Sequence, residues 1–529
     1  MAYDEQAPHE GTGTGNPCLL GPPSGPSLFI HYRPEGWFMS DGTVFYEDGC
    51  YHVFYLTKRN DDPPRLPGTS IGHATSPDLI HWQDQPLALT PGTPGSNDEN
   101  GFGAVSVIRG PDRYYMFYNP MESSPVIQRA WSLDLIHWAK EPERAFLKPE
   151  KWYRDGPGCA WRDPYVFLDP IGGEYVMLVT AATRDDKGTP AFNGCIAWAT
   201  SDDLENWTLK PPLYSPGLSC GLEMVGIFHE GGKYYLTICF GELFNVSYRV
   251  ADRLEGPYRR TAQDVLCQGF HYGAREFSDG EHHYLLPGAW EREAKNDAPG
   301  DLWYSGGYIY GGASATVQEL KSLPDGSLEV HYPSLLDQVR GAAIGGAPTF
   351  AGLDTFSGNW EVATGSQDQS ASLSGSSSEG AARALIDAVA GDLWLRCDLH
   401  MEGGTAAGLL LRASERGQRG YLLRLDWDKH TASLWRYPME WVTAQPLAEV
   451  TVPGLMRGKT YEVTVLMHGN LLDAYLDGHH LFSRTVYDHR KGQLGFFVED
   501  GQTLFSGLEA FALAEPWGGM CGDPTNVNR

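Results

Sequence analysis

Gly36-Trp37-Phe38-Met39-Ser40-Asp41-Gly42, continued by TVFYEDGCYHVFYL (43–56), is the stretch whose reading decides the fold. An aromatic and a methionine lead into an aspartate, and an apolar-aromatic strand follows. Asp48-Gly49 then offers a two-residue hairpin turn, and a second aromatic strand returns. A single aspartate at a strand start is ordinarily a turn cap. Repetition gives Asp41 more weight. The same hairpin recurs in AVSVIRGPDRYYMFYN (104–119), PYVFLDPIGGEYVMLVTA (164–181), VGIFHEGGKYYLTICF (225–240) and AREFSDGEHHYLLPGAW (274–290). A period of roughly 50 to 60 residues is that of sheets repeated around an axis.

A second repeat interleaves with the first: Ser76-Pro77-Asp78-Leu79-Ile80-His81-Trp82, Ser132-Leu133-Asp134-Leu135-Ile136-His137-Trp138 and Ser201-Asp202-Asp203-Leu204-Glu205-Asn206-Trp207. Ser and Asp close turns by bonding nearby amides, and Leu and Trp pin such a turn to a sheet, so these copies read as structural. Together the two repeats predict an all-β chain with a five-bladed β-propeller over 30–340, preceded by a loose Gly/Pro/Thr-rich arm over 1–29. No long stretch of helical period competes.

Length and composition agree. At 529 residues the chain is long enough for two domains, and 63 glycines and 36 prolines punctuate many short strands. The net charge of −27 disfavours a phosphate backbone as partner. With 16 Trp and 27 Tyr to stack on sugar rings, a small neutral saccharide is the expected ligand. Nine cysteines, scattered singly, argue against a disulfide framework and a zinc cluster. No stretch approaches the ~18 apolar residues of a membrane span. The N-terminus lacks the pattern of a signal peptide, so no membrane partner and a cytoplasmic location are expected. A homo-oligomer stays open.

Beyond about 340 the texture changes. The serine-rich SQDQSASLSGSSSEG (366–380) reads as a surface loop, followed by alternating strands with Asp477-Gly478 as a hairpin turn. This predicts a β-sandwich over 350–515.

In a propeller the residues just before each innermost strand converge on a central funnel. Asp41, the SNDENGFG stretch (96–103), Arg162-Asp163, Glu223 and His271-Tyr272 occupy those places. Three carboxylates and an arginine in an aromatic-rich pocket suit glycoside cleavage, which needs one carboxyl to donate a proton and another to attack or to position water. No phosphate-binding loop is present. His282-His283 and His479-His480 read as solvated turn residues, so neither metal nor cofactor is expected.

At these residues the chain resembles glycoside hydrolase family 32, the invertases, levanases and inulinases. HYRPEGWFMSDGTVFYEDGCYHVFYL resembles that family's opening block, IGHATSPDLIHWQDQPLAL its next, and Trp161-Arg162-Asp163-Pro164 its Arg-Asp-Pro motif. Cys220-Gly221-Leu222-Glu223-Met224-Val225 stands where the family has its acid/base block. The resemblance implies Asp41 as nucleophile, Glu223 as acid/base and Asp163 as a stabiliser of the sugar ring. Trp37, Ser40, Phe102, Arg162, Tyr272 and Trp290 are the candidates for binding substrate. Departures cluster in the sugar pocket: Ser40 replaces the usual Asn and Leu56 a Gln. Phe102-Gly103-Ala104-Val105 replaces Phe-Ser-Gly-Ser, Met224 a Cys, and Gly226 an Asp. The expected activity is therefore a retaining furanosidase, fructosyl transfer being a variant of it. Its alternatives are an inverting enzyme like those of family 43 and a non-catalytic sugar-binding propeller.

Overall fold

The computed structural model describes residues 30–514, apart from 33, 35, 60–68, 122–124, 157–159, 185–191, 219–220, 241–244, 269–270, 293–303, 306–307, 346–348, 364–370, 438–444 and 487–488. The expected arm over 1–29 lies outside the described residues. Asp48 and Gly49 both take positive φ (49° and 80°), the left-handed pair that a tight hairpin requires, and join Trp37–Glu47 to Cys50–Arg59. These strands continue through Ser70–Ser76 to Gln83–Asp84 as a four-stranded sheet in sequence order.

Three more sheets follow the same plan. The second runs Ser106–Arg109, Tyr114–Tyr118, Gln128–Ser132, Ala139–Lys140, and the third Arg162–Leu168, Tyr175–Ala182, Gly194–Ser201, Thr208–Leu209. The fourth runs Leu222–Glu230, Lys233–Phe240, Asn245–Ala251, Val265–Gln268. In all four, neighbouring strands are antiparallel.

Consecutive sheets pack face to face, which makes this a β-propeller arrangement. Phe54, Leu56 and Ile71 of the first sheet share a core with Val107, Met116 and Ala130 of the second. Phe117 and Ile127 of the second pack with Met177, Val179 and Ala197 of the third. Val176, Leu178 and Trp198 of the third pack with Val225, Ile227 and Leu236 of the fourth. After the fourth sheet the strands are interrupted. His271–Tyr272 pairs with Gly288–Arg292, which pairs with Tyr308–Ser314, while Glu276–Ser278, His283–Leu285 and Gln318–Ser322 form an adjoining antiparallel patch.

The Ser-x-Asp turns are built as the sequence suggested. Oδ1 of Asp78 accepts the amides of Ile80 and His81 at 3.0 and 2.8 Å, and Oδ1 of Asp134 those of Ile136 and His137 at 2.9 and 2.8 Å. Oδ1 of Asp203 accepts those of Glu205 and Asn206, both at 2.8 Å. Leu79, Leu135 and Leu204 each take φ of 62–63°.

The chain divides into two compact units, Met1–Glu329 with Met520–Arg529, and Val330–Gly519. The division falls before the expected boundary at 340, because the short 3-10 helix Ser334–Val339 and strand Arg340–Ala343 belong to the second unit. That unit holds a large antiparallel sheet around one core, with Trp394 and Trp427 fully buried. Asp477 and Gly478 take positive φ (50° and 78°) in the expected hairpin. The serine-rich stretch is not a loop where it is described. From Ser372 it forms the first half of the 19-residue strand Ser372–Ala390, paired with Asn359–Ala363 on one side and Gly492–Leu513 on the other. Small residues suit that position: a Cβ on Gly375 would lie 2.2 Å from the Trp360 ring. Cys195, Cys239 and Cys397 are free and buried and Cys267 is buried, while Cys50 is disulfide-bonded. Among the described residues no helix is long and apolar enough to cross a membrane.

Candidate active site

The candidate acids sit on distortions of the innermost strands. The first sheet's register shifts between Ser40 and Thr43, bulging out Asp41-Gly42, and Asp41 takes φ 44°. In the third, the register against the innermost strand shifts between Leu178 and Thr180, opposite Asp163, whose φ is 56°. In the fourth it shifts between Glu223 and Gly226, and Met224 takes φ 47°. A β-bulge breaks the pairing and re-aims side chains, and left-handed non-glycine residues store strain, so both are concentrated at functional sites.

Three of the candidates meet directly. Nη2 of Arg162 donates to Oε1 of Glu223, and the Tyr272 hydroxyl donates to Oε2 at 2.6 Å. Nε of Arg162 also lies 3.5 Å from Oδ2 of Asp163. Arg162 and Glu223 remain about one-third exposed (34% and 30% of the side chain), so this cluster opens to solvent. Asp163 lies deeper. Its carboxylate accepts the Met224 amide and lies 3.4 Å from Oγ1 of Thr180. Burial pushes the Asp163 carboxyl above the ordinary range, with Arg162 and Arg275 pulling it down and Glu223 adding to the rise. Desolvation outweighs the charge of the adjacent arginine because the carboxyl is almost enclosed.

The other candidates divide. Trp37 is half-buried at the start of its strand, with the Arg59 guanidinium 5.9 Å from its ring. Ser40 is buried and stands directly across the hairpin from Leu56, which is also buried. Two departures from the family pattern are thus cross-strand partners. Phe102 is fully buried, edge-on to Tyr118 in the core between the first two sheets, so its ring is core rather than pocket surface. Trp290 lies in the strand Gly288–Arg292, and its side chain is outside the described residues. In each histidine doublet one member departs from expectation: His283 bonds Glu276 and His480 bonds Ser483, both half-buried, while His282 and His479 are exposed.

Sequence reasoning missed three supporting residues. Asn119 is buried, and its Oδ1 accepts the Asp163 amide at 3.0 Å. A Cβ on Gly103 would lie 2.4 Å from that oxygen, which accounts for glycine there. Thr180, on the strand beside that of Asp163, ties this sheet to the next by donating to the Leu222 carbonyl at 2.8 Å. Arg275 donates to the Asp163 carbonyl at 2.8 Å. The only sequence signals were polar residues in or next to apolar strands.

The arrangement is that of a propeller hydrolase, with acids raised on bulges at the inner strand ends. Residues 31–306 match the family model described as "Glycosyl hydrolases family 32 N-terminal domain". The chain belongs to glycoside hydrolase family 32. It is 26% identical to Invertase 1 of Saccharomyces cerevisiae over 203 residues, 36% of this chain and 35% of that protein. It is 32% identical to Beta-fructofuranosidase 1 of Zea mays over 170 residues, 30% of this chain and 24% of that protein. The matched part thus spans about a third or less of these curated relatives. In structure it is similar to exo-inulinase from Aspergillus awamori, with a TM-score of 0.65, 16% identity, and coverage of 93% of this chain and 99% of that one. It is also similar to fructan 1-exohydrolase IIa from Cichorium intybus (TM-score 0.65, 16% identity, 92% and 97% covered).

Proposed function

We propose that the protein is a retaining glycoside hydrolase acting on a small furanoside, a β-fructofuranoside or a close relative. Asp41 is its nucleophile, Glu223 its acid/base and Asp163 the group that bonds the sugar hydroxyls. The observation that carries this is the linked cluster Asp163–Arg162–Glu223–Tyr272 on bulged inner strands, one bulge of which presents Asp41. A glutamate gripped by a guanidinium and a phenol is oriented to deliver a proton to a leaving oxygen and to recover one from water in the second step. Asp41 then forms and releases the glycosyl-enzyme ester.

The strands over 271–331 make the fifth blade in this reading, supported by their antiparallel meander after four like sheets. The second unit is a β-sandwich, supported by its two long paired strands and the large core they share. The substrate is an imported saccharide met in the cytoplasm, and secreted activity would overturn that.

The smaller and drier Ser40–Leu56 pair supports a pocket unlike that of a sucrose-splitting enzyme. A panel of sucrose, inulin, levan oligosaccharides, aryl β-fructofuranosides and aryl arabinofuranosides tests the proposal. Turnover of a furanoside is expected to exceed that of sucrose, with the first product keeping its anomeric configuration. No release from any furanoside overturns the activity, an inverted first product overturns the mechanism, and sucrose as clear best substrate overturns the specificity.

A further inference from the structure

Arg275 lies just after the interruption in the fifth group of strands, between His271–Tyr272 and Glu276–Ser278, and is 3% exposed. Its guanidinium reaches three other sheets. Nη1 donates to the Val105 carbonyl at 2.7 Å and lies 3.2 Å from Oγ1 of Thr43, which itself donates to Val105 at 2.8 Å. Nη2 donates to the carbonyl of Asp163 at 2.8 Å. Thr43 closes the bulge that carries Asp41, and Asp163 is itself a bulge residue. One planar fork therefore fastens two acid-bearing bulges and the second sheet between them.

A lysine could not span these oxygens, because a single ammonium lacks the fixed divergent donors of guanidinium. Gly226 abuts the stem: a Cβ there would be in ordinary contact with Cβ and Cγ of Arg275, at 3.7 and 3.8 Å, and 2.8 Å from Oγ1 of Thr237. The Tyr165 ring centroid is 5.5 Å from the guanidinium carbon. Nε has no hydrogen-bond partner among the described residues, so burying this cation needs compensation from charge. The charges that act on it are those of Asp41 and Asp163, with the Tyr165 phenol and Cys239 thiol beside it. Glu223 and Arg162 act on Asp163 from the solvent side, with Tyr272 on Glu223, and Glu276 next in the chain is bonded to His283.

We propose that Arg275 is a positioning residue for the reaction: it fixes the spacing of the Asp41 and Asp163 bulges and supplies the buried positive charge against which both carboxylates ionise. This rests on the active-site reading above. Arg275 touches backbone and Thr43, and works through the acids.

The test is Arg275→Met and Arg275→Lys, with kcat, KM and the acidic limb of the pH profile measured on an aryl β-fructofuranoside. Arg275→Met should lose roughly 10- to 100-fold in kcat through misplacement of the acids, with KM changed much less. Its acidic limb should move up by about one pH unit. Arg275→Lys should keep the wild-type limb and lose part of kcat. A folded Arg275→Met with the wild-type limb, or an Arg275→Lys with full kcat, overturns the proposal. Should both fail to fold, Thr43→Val removes one partner of the fork. A few-fold fall in its kcat is then expected, and an unchanged kcat overturns the idea. Titration of the carboxyl carbons of 13C-aspartate-labelled protein needs no substrate. An aspartate titrating higher in the Arg275 variant supports the proposal even where Asp41→Asn shows the active-site reading to be wrong, and identical titrations overturn it.

Discussion

Two sets of residues in the first unit share one unusual backbone state. At the outer turns Leu79, Leu135 and Leu204 hold φ near 62–63°, while at the inner bulges Asp41, Asp163 and Met224 hold 44–56°. Each such residue costs on the order of 1–3 kcal/mol and persists only where its surroundings enforce it. The surroundings differ. An outer leucine is fixed by its own heptad, where the aspartate one residue earlier accepts the next two amides and a serine two before that bonds the aspartate. An inner aspartate is fixed by distant chain: Asn119 is 44 positions from Asp163, and Arg275 is 112. Local bonds make a module that can be copied, whereas distant ones make a site that occurs once.

The comparison breaks most visibly if the inner ring is not catalytic. Asp41→Asn should lower turnover by roughly 10⁴-fold or more on activated and unactivated substrates alike, the scale on which losing a nucleophile acts. Near wild-type turnover on an activated aryl glycoside would remove Asp41 from that role. Glu223→Gln should cost about 10²–10⁴-fold on a substrate whose leaving group needs a proton, and less on an aryl glycoside with a good one. Equal impairment on both would argue against Glu223 as the acid.

A third prediction separates fold from site by pH. His52 and His73, stacked and bonded at 3.0 Å between two strands of the first sheet, are both buried. Burial holds His52 down, from 6.5 to about 4, and burial and then the His52 charge hold His73 low as well. The unfolded chain therefore binds these protons first. Their contribution is fully present above about 6.5 and is lost as pH falls toward about 4, at about 1.4 kcal/mol per pH unit for each histidine. Thermal melts should show that slope, and His73→Phe should flatten it; an unchanged slope would assign the acid sensitivity elsewhere. The smallest effect belongs to the outer ring. Asp134→Ala removes a half-exposed cap and should lower stability by about 1 kcal/mol in a denaturant melt, leaving kcat unchanged. A change in kcat would mean that the rings are coupled.

The same contrast explains what could be read in advance. The outer turns were legible because donor, acceptor and left-handed leucine fall within seven letters. The hairpins were legible from Asp48-Gly49 and Asp477-Gly478, whose side chains suit the φ they adopt. Asp41, Asp163 and Glu223 could be named through a family resemblance, but Asn119, Thr180 and Arg275 could not. Each is one polar letter in or next to an apolar strand, and its partner is known only once the sheets are stacked. Phe102 was misplaced for the converse reason: an aromatic beside a pocket and one in the layer behind it look alike in sequence. The serine run was misplaced because low complexity says nothing about a neighbouring strand that supplies the hydrogen bonds.

Ser40 and Leu56 face each other across the first hairpin, at the two places where the sequence resemblance leads one to expect Asn and Gln. Gln introduced at 56 alone would face the Ser40 hydroxyl, whereas Asn introduced at 40 alone would face Leu56, which offers no hydrogen bond, at a cost of about 1–3 kcal/mol. That is a large fraction of the stability of an ordinary domain. The two positions therefore behave as a pair in which a change at one is felt at the other, and a substitution at 56 sets the cost of a substitution at 40.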